Sequence, residues 1–182
     1  AKFKLNKNKF LPLTITGSNN LKPINYVENK GSAQCKSAII FGGMRTKGQT
    51  TIKAKKSRNH TELLCNNLDL PIKIQNKKKF DLIKINEVKK INKLIYTIPG
   101  DISSSAFFIV LTVLNKNSKL IIKNVNINSS RIGIITILKR MGANISFKNI
   151  RIYKGEKNAD IHIKHVNSLK AINCPSNLNS SA

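Results

Sequence analysis

The chain has 182 residues, 40% of them hydrophobic, and 33 Lys and Arg against 8 Asp and Glu give it a formal net charge of +25. That is apolar material for one good-sized core or two small ones. No apolar run approaches the roughly 20 residues of a membrane span, and no charged-then-apolar leader opens the sequence. A soluble cytoplasmic protein without a membrane partner is expected.

The charge raises nucleic acid as a partner, and a pI near 10.3 has the electrostatic footprint for it. Against that, aromatics make up only 5%, which leaves few platforms for stacking bases. The lysines scatter through every segment apart from Lys77-Lys78-Lys79, and arginine occurs only at Arg45, Arg58, Arg131, Arg140 and Arg151. Lys, Ile and Asn dominate together, so the charge reads as compositional background with a modest benefit for anionic small molecules. Nucleic acid is not the expected partner. Cys35, Cys65 and Cys174 have no paired spacing and read as free thiols of a reducing compartment. Asn59-His60-Thr61 and Asn128-Ser129-Ser130 match the glycosylation pattern, as chance would in an Asn-rich chain. His162 and His165 sit in an Ile161-His162-Ile163-Lys164 alternation that predicts a strand and no metal site.

In chain order, residues 2–9 are basic and suit an edge strand. Leu11 to Gly17 alternates apolar and polar, and Leu21 to Tyr26 is a second extended piece in which Pro23 favours an edge or turn. Gly31-Ser32-Ala33-Gln34-Cys35-Lys36-Ser37-Ala38 then opens an apolar helix with Ser32 as its cap. Its free N–H groups, beside Lys30 and Lys36, predict an anion site. Gly42-Gly43 ends that helix, and Thr50 to Ala54 predicts a strand. Ser57-Arg58-Asn59-His60-Thr61-Glu62 leads into a second helix, and Ile72-Lys73-Ile74 into another strand. A lysine-rich hairpin follows, with Phe80, Leu82, Ile83 and Ile85 expected in its core. Leu94 to Ile98 predicts a strand ending at Pro99-Gly100, the candidate domain boundary.

A second copy of the pattern starts there. Pro99-Gly100-Asp101-Ile102-Ser103-Ser104-Ser105-Ala106-Phe107-Phe108 again places hydroxyl residues before an apolar helix, here with Asp101 as cap. Ser37-Ala38 matches Ser105-Ala106 at a period of about 70 residues, long enough for a supersecondary unit. Lys119 to Lys123 predicts the next strand, Ser129 to Met141 a polar turn and helix stopped by Gly142, and Ile145-Ser146-Phe147 another strand. The tail from Ile152 to Cys174 predicts strand, turn, strand and the opening of a third unit. The chain thus reads as an α/β protein of two strand–helix–strand–helix–strand units.

The Gly31–Ala38, Ser57–Glu62 and Pro99–Phe108 motifs, supported by Leu11 to Gly17, closely resemble the 5-enolpyruvylshikimate-3-phosphate synthase family. The resemblance spans about Leu11 to Pro175 in the right order. It implies the inside-out α/β barrel fold of enolpyruvyl transferases, built of repeated βαβαββ units in two domains. Residues 1–97 would belong to the N-terminal domain, as one complete unit plus leading strands. Residues 98–182 would belong to the C-terminal domain, as one unit plus the start of the next. The implied activity moves the enolpyruvyl group of phosphoenolpyruvate to the 5-hydroxyl of shikimate 3-phosphate, with no cofactor and a monomer expected.

Carried onto this sequence, Ser32 and the Ala33 backbone would hold the phosphate of shikimate 3-phosphate. Gln34 would lie against its ring and reach toward phosphoenolpyruvate. Arg58 would be a further phosphate contact, with Ser57 a weaker one. Arg131 reads as structural and Asp101 as hinge and helix cap. The family's Lys-Ser and Arg motifs, its Asn-Ala-Gly-Thr loop, and the later Lys and Arg residues for phosphoenolpyruvate have no match. No catalytic residue falls within the sequence, since the Asp base is expected just past Ala182. An interior piece of the enzyme, inactive alone, is therefore expected. Two other readings remain open at this point: the related transferase acting on UDP-N-acetylglucosamine, and a basic RNA-binding module.

Overall fold

The computed structural model describes residues 2–6, 11–178 and 181. A short antiparallel pair, β1 (Lys2–Leu5) and β2 (Leu13–Thr16), lies exposed on both strands. Residues 7–9 of the basic opening stretch fall outside the described residues.

The first unit runs β3 (Asn25–Glu28), α1 (Ala33–Gly43), β4 (Thr50–Lys55), α2 (His60–Asn67), β5 (Ile72–Asn76) and β6 (Phe80–Ile85). Its sheet has the order β3-β4-β6-β5, with β3 parallel to β4 and the other pairs antiparallel. The crossover through α1 is what a parallel pair requires. Ile40, Met44, Ile52, Ala54, Cys65, Ile72, Ile83 and Ile85 form its core. Each fully buried isoleucine contributes roughly 1.5–3 kcal/mol.

The second unit runs α3 (Ile102–Leu114), β7 (Lys119–Asn126), α4 (Gly133–Arg140), β8 (Asn144–Tyr153) and β9 (Glu156–Lys164), with the sheet order β7-β9-β8. Its core gathers Ile102, Ile109, Val113, Val125, Ile135, Leu138, Ile145, Ile161 and Ile163. On the buried face of α3, Ser105 Oγ donates to Asp101 O at 2.8 Å and Thr112 Oγ1 to Phe108 O at 2.7 Å, so neither hydroxyl is stranded. Phe107, Phe108, Leu111 and Leu114 of the same helix are exposed. Asn124 and Asn149 adopt left-handed backbone at bulges in β7 and β8. Asp160, on β9 between them, accepts from Asn124 N at 2.9 Å and from Asn149 Nδ2 at 2.8 Å.

The β7-β9-β8 order repeats β4-β6-β5 of the first unit, and the helices fall in the same places. The repeat read from the sequence is therefore present, with one correction. Leu94 to Ile98, the counterpart of β3, is not a strand; only Gly100 bridges to β7, donating to Asn124 O at 2.8 Å and accepting from Asn126 N at 2.9 Å. Pro99 has no N–H to give a ladder, and Ile95 and Ile98 stand exposed.

A second correction concerns β6. Side chains alternate along a strand, so Ile83 and Ile85 share the buried face with Asp81, while Phe80 and Leu82 are half-buried on the other face. Asp81 is compensated there by an ion pair with Lys56. Gly142 is left-handed with φ 98°, directly after α4 and Met141, as expected of a helix stop. The predicted strand–turn–strand tail is the end of β8, the Lys154-Gly155 turn and β9. After Lys164 the described residues contain only a short 3-10 helix, Ser176–Leu178.

Candidate functional site

Local sequence builds the start of α1. Gly31 has φ 73°, which L side chains rarely adopt, and a Cβ there would meet Lys56 O at 3.4 Å. This turn is tied down by Glu28, whose two carboxylate oxygens accept from Lys30 N at 2.9 Å and Gly31 N at 2.8 Å. Ser32 is the expected cap: its Oγ accepts from Cys35 N at 3.2 Å. The donors left at this helix start are those of the first turn, Ala33 and Gln34, which have no partner within a helix by construction.

Two details differ from the sequence reading. The N–H groups of Lys30 and Gly31 are not free, because Glu28 takes both. Lys36 does not flank the helix start; it is wholly buried, with Nζ 2.6 Å from Glu62 Oε1 and 2.9 Å from Arg58 O. The periodicity of α1 carried no hint that a lysine would face inward.

A cleft of about 730 Å³ opens between the two units. Gly31, Ala33, Gln34, Ser57 and Arg58 line it from the first unit; Ser103, Ala106, Phe107, Val110, Arg131 and Ile134 line it from the second. Ala33, Gln34 and Arg58 of the predicted residues therefore converge on one space. Ser32 stands one residue behind the wall, occupied in capping. Ser57 Oγ is buried and has no hydrogen-bond partner among the described residues. Arg58 is exposed, and its guanidinium has no hydrogen bond or ion pair among the described residues.

The opposite wall is built on α3. Asp101 caps that helix, accepting from Ser104 N at 3.0 Å and Ser104 Oγ at 3.1 Å. Arg131 donates to Asp101 Oδ1 and Ser103 Oγ, both at 2.7 Å. Burial pushes the Asp101 carboxyl up, but the Ser104 bonds and the Arg131 charge outweigh that and hold it below the usual range. Asp101 and Arg131 thus serve each other, and Arg58 is the cation of the cleft with charge to spare. The placement of Ser103 and Phe107 opposite Gln34 was invisible to motif reading, since it follows from how two units meet.

The units meet around the Arg58 loop. Asn59 Oδ1 accepts from Asn128 Nδ2 at 2.9 Å and Ser130 Oγ at 3.3 Å, and His60 Nδ1 lies 2.6 Å from Glu156 Oε1. Asn126 also donates to Glu156. Burial raises the Glu156 carboxyl, but the hydrogen bond and charge of His60, then Asn126 and Arg131, hold it below the ordinary glutamate value. Elsewhere, His165 Nδ1 lies 3.0 Å from Val113 O, and no group of three metal-ligating side chains occurs among the described residues. All three cysteines are free; burial and then the Glu62 charge push Cys65 up to about 11. No helix among the described residues is long and apolar enough to cross a membrane.

This architecture is that of the enolpyruvyl transferases. The enolpyruvyl transferase NikO from Streptomyces tendae superposes with a TM-score of 0.58 over 91% of this chain and 39% of its own, at 18% identity, which is a likeness of fold. An EPSP synthase from Acinetobacter baumannii superposes at 0.80 over 98% of this chain and 40% of its own, with 34% identity. A 3-phosphoshikimate 1-carboxyvinyltransferase from Endomicrobium trichonymphae is 40% identical over 92% of this chain and 38% of its own length. A sequence model of the family described as EPSP synthase (3-phosphoshikimate 1-carboxyvinyltransferase) matches residues 1–176. The chain belongs to the EPSP synthase family. It spans about two fifths of the length of the relatives it matches, and the UDP-sugar and RNA-binding readings are not favoured.

Proposed function

We propose that this chain supplies part of the shikimate 3-phosphate site of a 3-phosphoshikimate 1-carboxyvinyltransferase. In that reaction the substrate 5-hydroxyl oxygen bonds to C2 of phosphoenolpyruvate and loses its proton. The C–O bond to the phosphoryl group breaks, and inorganic phosphate leaves. The single observation that carries the reading is the meeting on one cleft of the α1 start, Gln34 and the Arg58 guanidinium, which has no partner among the described residues.

Each residue has a part in that reading. The Ala33 N–H and the positive end of α1 face the phosphate. The Ser32 hydroxyl accepts from Cys35 N and donates to Gln34 Oε1 at a long 3.5 Å, a weak bond it would exchange for a phosphate oxygen. Arg58 adds a charge-assisted contact, with Ser57 Oγ as a spare donor beside it. Gln34 lies against the ring and reaches toward phosphoenolpyruvate. Turnover is assigned to a longer polypeptide, because the chain covers 38% of a relative's length. Residues 1–97 and 98–182 are assigned to successive domains, a reading supported by their separate cores. A cytoplasmic enzyme fits these small anionic substrates.

The test is calorimetric titration of shikimate 3-phosphate into the chain, its Arg58→Ala variant and its Gln34→Ala variant. Losing a hydrogen bond to a charged group costs about 1.5–3 kcal/mol, so Arg58→Ala is expected to weaken binding roughly 10- to 100-fold. Equal affinity in all three proteins, or no heat at millimolar ligand, overturns the reading.

A further inference from the structure

Arg58 reaches the cleft from a loop, and among the described residues its guanidinium has no partner to aim it. Its position is therefore set by its backbone. The atom that fixes that backbone from within the unit is Lys36 Nζ, which donates to Arg58 O at 2.9 Å and to Glu62 Oε1 at 2.6 Å. One ammonium thus ties α1, the β4–α2 loop and α2 together. Lys36 is wholly buried, and Glu62 has a side-chain exposure of 4%.

A buried ion pair is a poor device for stability, since apolar residues of like volume do as well or better. Its specific effect here is directional. The ammonium charge is cancelled by Glu62, so it adds little attraction for an anion in the cleft. Its second hydrogen bond falls on the carbonyl of Arg58, whose guanidinium has no partner among the described residues. We propose that Lys36 is a positioning residue, acting on anion binding through the Arg58 backbone and not through its own charge. This goes one step beyond the function proposed above and rests on it for the identity of the anion.

The second carboxylate oxygen of Glu62 has no partner among the described residues, so removing Lys36 alone would strand a buried charge. The informative variant is Lys36→Met with Glu62→Leu, made with and without Arg58→Ala, in the full chain. Two readouts are taken. Backbone order parameters at residues 57–60, measured by 15N relaxation without ligand, are expected to fall from about 0.85 to below about 0.6, while those of β4 and β6 stay unchanged. Shikimate 3-phosphate affinity is expected to fall about tenfold in the Arg58 background and to change less than about twofold in the Arg58→Ala background, the signature of coupled sites. Glu62→Gln, whose amide oxygen still accepts from Lys36, leaves the ammonium charge uncancelled and is expected to keep the order parameters at 57–60 near the parent.

An unchanged order parameter at 57–60 overturns the proposal, as does an affinity loss of the same size in both backgrounds. If the parent chain fails to bind shikimate 3-phosphate, the functional reading falls, and the relaxation data still decide whether Lys36 holds the loop. Should the Met/Leu pair not fold, Lys36→Met with Glu62→Gln carries the same readouts.

Discussion

Glu156 shows how a single carboxylate can join two halves of a molecule. It is buried on β9, and its neighbours across the boundary and beside it, His60, Asn126 and Arg131, hold it ionised. A glutamate whose folded value is depressed contributes stability above its unfolded value, near 4.5, and that contribution is lost as pH falls through the lower folded value. Glu156→Gln is therefore expected to be less stable than the parent at pH 6 and to converge on it toward pH 3. Urea unfolding across that range checks this; a constant difference at every pH would show that the carboxylate charge is irrelevant. The same scale explains what motif reading found. Ser32 and Asp101 were legible as caps because capping is a property of a few consecutive residues. Lys36 was not, because its partners lie 22 and 26 positions away.

Among the elements, α3 has two apolar faces, and only one of them meets the β7-β9-β8 sheet. Ile109 on that face is fully buried. Ile109→Ala is expected to cost about 2–5 kcal/mol, measured by thermal or urea melting, and to spare the first unit's core, which shares no residue with it. Loss of both cores together would show that the units fold as one. Helices and strands with strong patterns were readable in advance, and so was the repeat. Leu94 to Ile98 was misread because β-branched composition states that a segment can be a strand, while pairing decides whether it is. In β6 the apolar residues were rightly seen as a cluster, but period two allows only alternate ones to face inward, and Asp81 took a place beside Ile83 and Ile85. The cleft was legible on its first-unit wall, through the Ser-Ala-Gln motif, and illegible on its second, which depends on the docking of the units.

For the whole molecule, the net charge of +25 sits on many dispersed lysines, so the folded state repels itself at low ionic strength. Six of the eight Asp and Glu residues are spent at particular places: Glu28 under the α1 turn, Glu62 beneath Lys36, Asp81 beside Lys56, Asp101 on α3, Glu156 between the units and Asp160 between two bulges. In a chain so poor in acids, each of these marks a point where the backbone has to be held.

The single bridge at Gly100 leaves the stretch before it without a ladder. Residues 86–99 contain no helix or strand, and Lys89, Lys90 and Lys93 are exposed within them. Between Val88 N, which donates to Met44 O, and Thr97 N, which donates to Tyr153 Oη, the backbone makes no hydrogen bond among the described residues, and the three tryptic sites fall in that gap. Limited trypsin is expected to nick the chain first between Lys89 and Lys93, ahead of the many lysines on strands. The two pieces are then expected to travel together on gel filtration, held by Asn59, Asn128, Ser130, His60 and Glu156. The connecting segment would then be a tether rather than a structural member, and two separately made halves should find each other in solution.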